Sequence, residues 1–196
     1  VFHQMTIRII DVTFDPIPDI RDAKILPPGL IGEIIVKGPV ATREYFRRPD
    51  ATALAKIADG TEFWHRMGDV GYFDDSGRLW FCGRKVHIVF AESGPMYSDC
   101  CEAIFNNHPT VYRSALIGIG EKGSQTPIIV VEPEDGCFPE SPQSQAQLRR
   151  ELLKLAAANS LTSNIHTILF HRAFPVDTRH NVKINREQLA VWAARE

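Results

Sequence analysis

Hydrophobic and polar positions alternate over residues 6–11, TIRIID, an isoleucine-rich run with the two-residue period of a half-buried strand. The proline-punctuated stretch that follows, DPIPDIRDAKILPPG, reads as loop. GEIIVKG, residues 32–38, is a second strand that stops at Gly38-Pro39. Pro49 and Asp50 open a short predicted helix, DATALAKIA, with Asp50 as its cap. FWHRMGDVGYFDDSGRLWFCGR reads as two strands around a tight turn at Asp75-Ser76-Gly77. Residues 1–83 are therefore β-rich, with one helical insert.

The texture changes after Gly83-Arg84. KVHIVF reads as a strand, and SDCCEAIFNNH as a helix starting at Ser98 or Asp99. YRSALIGIG and TPIIVVEP are strands, and EDGCFPESPQS is a turn-rich surface loop. QAQLRRELLKLAAAN carries Leu148, Leu152, Leu155 and Ala156 on one stripe, the mark of an amphipathic helix. IHTILFH is a strand, PVDTRHNVKI a polar loop, and NREQLAVWAARE a final short helix. The order β-α-β-β-α-β-α fills about 110 residues, enough for an independent core. The boundary between the halves falls at Arg84 to His87, and there are no internal repeats.

Composition adds few constraints. With 44% hydrophobic and 23% charged residues among 196, the chain is ordinary globular material. A net charge of −2 gives no broad basic field for nucleic acid, and no apolar run is long enough to span a bilayer. The opening VFHQMTIRIID has no signal-peptide pattern. It reads as a strand entered part-way, so a longer protein is expected. Cys82, Cys100, Cys101 and Cys137 fit no zinc spacing. They read as buried free thiols, which favours a cytoplasmic location.

A reaction comes into view only through the order of short motifs. GEIIVKGP, then WHRMGDVGYFDDSGRLWFCGR, then the helix that reaches Glu102, then a lysine near the C-terminus, resemble the adenylate-forming (AMP-binding) superfamily over nearly the whole chain. That superfamily contains acyl-CoA synthetases, peptide-synthetase adenylation domains and luciferases. IPD, WHRMGD, FCGRK and PVDTRHNVKI look most like its olefin-biosynthesis branch, OleC, whose members resemble fatty-acid-CoA ligases. The resemblance implies an α+β fold in two parts. Residues 1–83 would be the β-rich end of a large AMP-binding domain, 84–87 a hinge, and 88–196 a small α+β lid domain. The implied activity is ATP-dependent activation of a long-chain β-hydroxy fatty acid as acyl-AMP, closed to a β-lactone. An acyl-CoA ligase is the alternative, and a non-catalytic partner-docking module a second one.

Roles follow by the same resemblance. Asp69, after Gly68, would bind the ribose hydroxyls of ATP or AMP, since a carboxylate can accept two hydrogen bonds from a cis-diol. Arg84 would contact the ribose or phosphate region with its forked guanidinium. Lys183 would be the catalytic cation, offsetting charge as a carboxylate attacks the α-phosphate. The sequence departs from the family in places: Met67 replaces a threonine, Val182 a glycine, and Val86 the polar hinge residue. Ser93 stands where a glycine usually lets a pantetheine arm approach, which weighs against coenzyme A as second substrate. His65 and His180 flank the site and are weaker candidates, and Glu102 is expected to pair with backbone or a basic residue. The triphosphate-gripping loop is not found in GIGEKGSQ or elsewhere. It, the Mg2+ ligands and most of the acyl pocket are expected in a missing N-terminal domain, so this stretch alone should bind ATP weakly and not turn over.

Overall fold

The computed structural model describes residues 5–177 and 180–196, with the backbone alone at 180–182. The chain folds as two units, divided along the sequence between Val86 and His87.

In the first unit, β1 (Thr6–Ile10) pairs antiparallel with β2 (Gly32–Lys37). A helix, α1 (Pro49–Ala55), precedes a hairpin of β3 (Lys56–Asp59) and β4 (Glu62–Phe73). β4 is twelve residues long. Its first residues pair with β3, its last with β5 (Leu79–Arg84), and its middle with β2. The strands form a five-stranded sheet. Ile10, Ile17, Ile35, Ile57 and Trp64 make its core. Gly71 is required by close approach, because a Cβ there would lie 2.3 Å from the Trp80 carbonyl oxygen on β5.

Two local readings change here. The helix predicted through Ala58 ends at Ala55, because Ile57 pairs with Trp64 and joins the core. Lys56 to Asp59 are drawn into the sheet, and tertiary pairing overrides helix propensity. Asp50 lies in the first turn of α1 and does not cap it; Pro49 opens the helix instead.

The second unit begins with a hairpin of β6 (Val89–Ala91) and β7 (Gly94–Met96), followed by α2 (Ser98–Asn106). Its sheet has β9 (Thr126–Pro133) between antiparallel β8 (Val111–Ile119) and parallel β10 (Thr167–Phe170). α3 (Pro142–Ala157) starts on a Ser141–Ser144 capping box. A short hairpin, β11 (Val176–Asp177) and β12 (His180–Ile184), leads into α4 (Arg186–Ala193). Alternate residues of the central strands face opposite cores. Leu116, Ile129 and Val131 pack with Phe105 of α2 and Leu152 of α3. Ala115, Ile117, Ile128 and Val130 pack with Leu189 and Ala193 of α4. Burial on both faces explains the unbroken apolar runs SALIGI and PIIVV. The α+β class holds.

KVHIVF is not one strand: Lys85–His87 form a 3-10 turn and only Val89–Ala91 extend. PVDTRHNVKI is not all loop, since its described residues include the paired strands β11 and β12. Of the four thiols, Cys82 and Cys101 are buried, Cys100 is half-buried and Cys137 is exposed. Among the described residues no helix is long and apolar enough to cross a membrane.

Candidate active site

The first unit brings two of the expected site residues together. Asp69 in the second half of β4 lies opposite Arg84 at the end of β5, and Arg84 Nη1 donates to Asp69 Oδ1 at 2.6 Å. Gly68 reaches φ +71° just before Asp69, and β4 shifts register against β5 after Val70. Both features turn the strand where the carboxylate projects. Asp69 is sheltered, its side chain 15% exposed, whereas that of Arg84 is 53% exposed. The sheltered carboxylate thus carries an open guanidinium beside it. A cis-diol fits this pair, with the carboxylate accepting and the outward N–H groups donating to an anion.

A buried charge cluster lies in the same unit. Glu33 on β2 accepts from Arg66 Nη2 at 2.7 Å and from Lys85 Nζ at 2.8 Å. The Glu33 and Arg66 side chains are 0% and 2% exposed. Arg66 also donates to the carbonyls of Thr13, Asp15 and Leu54, and Lys85 to that of Thr13. Arg66 lies three residues before Asp69 and Lys85 directly follows Arg84. The cluster therefore ties both site strands to β2 and to the loop after β1. Its members lie within the motifs GEIIVKGP, WHRMGD and FCGRK, but nothing in those motifs marks them as partners, because buried charge leaves no periodic signature.

His65 lies on β4, half-buried, with Nδ1 3.1 Å from Lys56 Nζ and 3.2 Å from the Ala55 carbonyl oxygen. Burial, and then the neighbouring ammonium, hold its pKa below the usual 6.5. Its ring is engaged with α1 and β3, which favours a packing role.

Lys183 belongs to the second unit, exposed on β12. The residues after it are firmly held. Ile184 packs on the core beneath α4. The Asn185 N–H donates to the Pro175 carbonyl at 2.7 Å, and its side chain caps α4 at the Gln188 N–H. Arg186 forks onto Glu102 of α2 at 2.6 and 3.0 Å and donates to the Leu116 carbonyl. Glu102 also accepts from the Leu116 N–H at 2.8 Å. Burial pushes the Glu102 carboxyl upward while Arg186 opposes the shift. Glu102 therefore pairs with both backbone and a basic residue. Its partner Arg186 was missed, although an arginine opening a capped helix three residues after the lysine was a usable signal. The His180 side chain lies outside the described residues. Val86 is exposed in a 3-10 turn and is the last residue of the first unit along the chain. Ser93 sits in the exposed turn of the β6–β7 hairpin, beside Gly94 at φ +114°.

Magnesium does not fit this set. The Asp69 carboxylate is neutralised by Arg84, whereas Mg2+ needs several hard oxygen donors around it. Among the described residues no group of three or more His, Cys, Asp or Glu side chains could hold a metal.

No protein-family model matches the chain. Over 97% of its length the chain is 47% identical to the olefin beta-lactone synthetase of Xanthomonas campestris, of which it spans 34%. Among solved structures, 97% of the chain superposes on 35% of the amide bond synthetase McbA from Marinactinospora thermotolerans, with a TM-score of 0.75 and 26% identity. The O-succinylbenzoate coenzyme A synthetase MenE of Bacillus subtilis, solved with AMP, gives a TM-score of 0.72 over 95% of this chain and 34% of that one. At 23% identity that last likeness concerns the fold alone.

Proposed function

Because this chain belongs to the adenylate-forming ligase superfamily, as a counterpart of about a third of an olefin beta-lactone synthetase, we propose that the whole protein activates a long-chain β-hydroxy fatty acid with ATP and closes it to a β-lactone. The observation that carries the reading is the Asp69–Arg84 pair at 2.6 Å, a ribose clamp with an anion-facing edge. Identity of 47% to a β-lactone-forming relative supports the choice of branch.

In the first step a carboxylate oxygen of the acid bonds to the α-phosphorus and the bond to pyrophosphate breaks. Two anions meet, and negative charge gathers on the bridging oxygens. Asp69 holds the sugar, Arg84 lies along the phosphate side, and Lys183 supplies a cation to the reacting oxygens. That cation is worth most where water is excluded. In the second step the substrate's own hydroxyl oxygen bonds to the acyl carbon, the bond from that carbon to the phosphate oxygen breaks and AMP departs, and the hydroxyl proton passes to solvent. A nucleophile within the same molecule needs no thiol channel, consistent with Ser93 narrowing the approach at the β6–β7 turn. Magnesium, when bound to ATP, would neutralise phosphate charge. Its ligands and the acyl pocket belong to the rest of the protein, and residues 84–87 are the joint on which the two units would turn.

The test is Lys183→Ala in the complete enzyme, assayed by ATP–pyrophosphate exchange with a long-chain β-hydroxy acid. Exchange should fall at least about 100-fold, the usual cost of removing one charge-stabilising group. Normal exchange would remove Lys183 from the chemistry. Product analysis with and without coenzyme A separates a lactone from a thioester.

A further inference from the structure

The hairpin that carries Lys183 is poorly supported by itself. β11 spans only Val176–Asp177, and its register against β12 shifts between those two residues. A two-stranded ribbon of this size is at best marginal in water. Yet a lysine that must meet a reacting phosphate needs a defined base, since about 1 Å of misplacement can cost on the order of 100-fold in rate.

Three consecutive residues after Lys183 supply fixed points, and they differ in reach. Ile184 packs and pairs with Val176 of the short β11, and Asn185 binds locally to Pro175 and to its own helix. Arg186 reaches across the unit: its two nitrogens engage both carboxylate oxygens of Glu102, and Nη1 also donates to the Leu116 carbonyl. Glu102 in turn accepts the Leu116 N–H. The end of β12 is thereby bolted to α2 and to the middle of β8 through charge-assisted bonds whose side chains are 14% and 8% exposed. A bidentate pair of this kind fixes direction as well as distance.

We infer that Arg186 and Glu102 are positioning residues for Lys183, locking the base of its strand to the rigid sheet so that the ammonium is presented from a fixed point. This rests on the reading of Lys183 as the catalytic cation. Arg186 touches no substrate; it acts through the backbone of Ile184 and Asn185.

The experiment uses the complete enzyme and two rates. One is pyrophosphate release from ATP and a β-hydroxy acid, which needs Lys183. The other is lactone formation from synthetic acyl-adenylate, which does not. Arg186→Lys keeps the charge but loses the fork. Glu102→Gln keeps an acceptor for the Leu116 N–H but loses the ion pair. Each should lower kcat for pyrophosphate release at least about tenfold, leave KM for ATP within twofold, and leave lactone closure within twofold. Equal loss of both rates would mean that the pair only maintains the folded fraction, and no loss of either would mean that it positions nothing. Both results overturn the inference, as would failure of both variants to fold. Lys183→Ala is run beside them. If it leaves pyrophosphate release intact, the functional reading fails. If it abolishes release while Arg186→Lys does nothing, only the positioning claim fails.

Discussion

Glu33→Gln is the sharpest probe of how the candidate site is held. The substitution changes almost no volume, so no cavity cost enters. What it removes is the anion shared by Arg66 and Lys85, at 2.7 and 2.8 Å. Breaking a buried pair from one side typically costs about 3–5 kcal/mol, because the remaining charge is stranded. Two features pull the value toward the lower end. Arg66 keeps the carbonyls of Thr13, Asp15 and Leu54, and Lys85 is 12% exposed, so its ammonium retains some access to water. We therefore expect a loss of about 3 kcal/mol from a unit whose size suggests a total of about 4–13 kcal/mol. With a urea slope of about 1.5 kcal/mol/M, the midpoint of the transition reported by buried Trp64 should fall by about 2 M. The second unit shares none of these contacts and should unfold as before. Adding Lys85→Met to Glu33→Gln removes one stranded cation and should recover part of the loss. A midpoint shift under about 0.5 M, or further loss in the double variant, would refute the view that Glu33 holds buried Arg66 and half-buried Lys85 together.

Two other outcomes follow from the titrating groups. Burial pushes the Cys101 thiol up to about 12, so at pH 8 it should resist a thiol-reactive disulfide, while exposed Cys137 reacts within minutes; peptide mapping that finds Cys101 labelled first would contradict this. His65 has its pKa held below 6.5 by burial and by Lys56, so below pH 6.5 the unfolded chain takes up a proton that the folded chain resists. Stability of the first unit should therefore drop between pH 7.5 and 5.5. His65→Gln should flatten that drop in urea titrations, and an unchanged slope would show that His65 titrates alike in both states.

Much of the architecture was legible in one dimension. Period-two alternation in TIRIID, the turn at Asp75-Ser76-Gly77 and the leucine stripe of α3 are local signals, and each yields the element it announces. The order of motifs nominated Asp69, Arg84 and Lys183 as candidates, and the first two do lie against each other.

Tertiary structure decided the rest, and each case has a non-local cause. Lys56 to Asp59 became a strand because Ile57 had Trp64 to pair with. The polar segment after Pro175 became a hairpin because Ile184 and Arg186 found partners in the core of α4 and on α2. Glu33 met Arg66 33 residues away, and Glu102 met Arg186 84 residues away. Periodicity reports which face of an element is apolar; it carries no information about which charges share a buried site. That pairing is set only when distant segments close together and each desolvated charge must find its counter-charge.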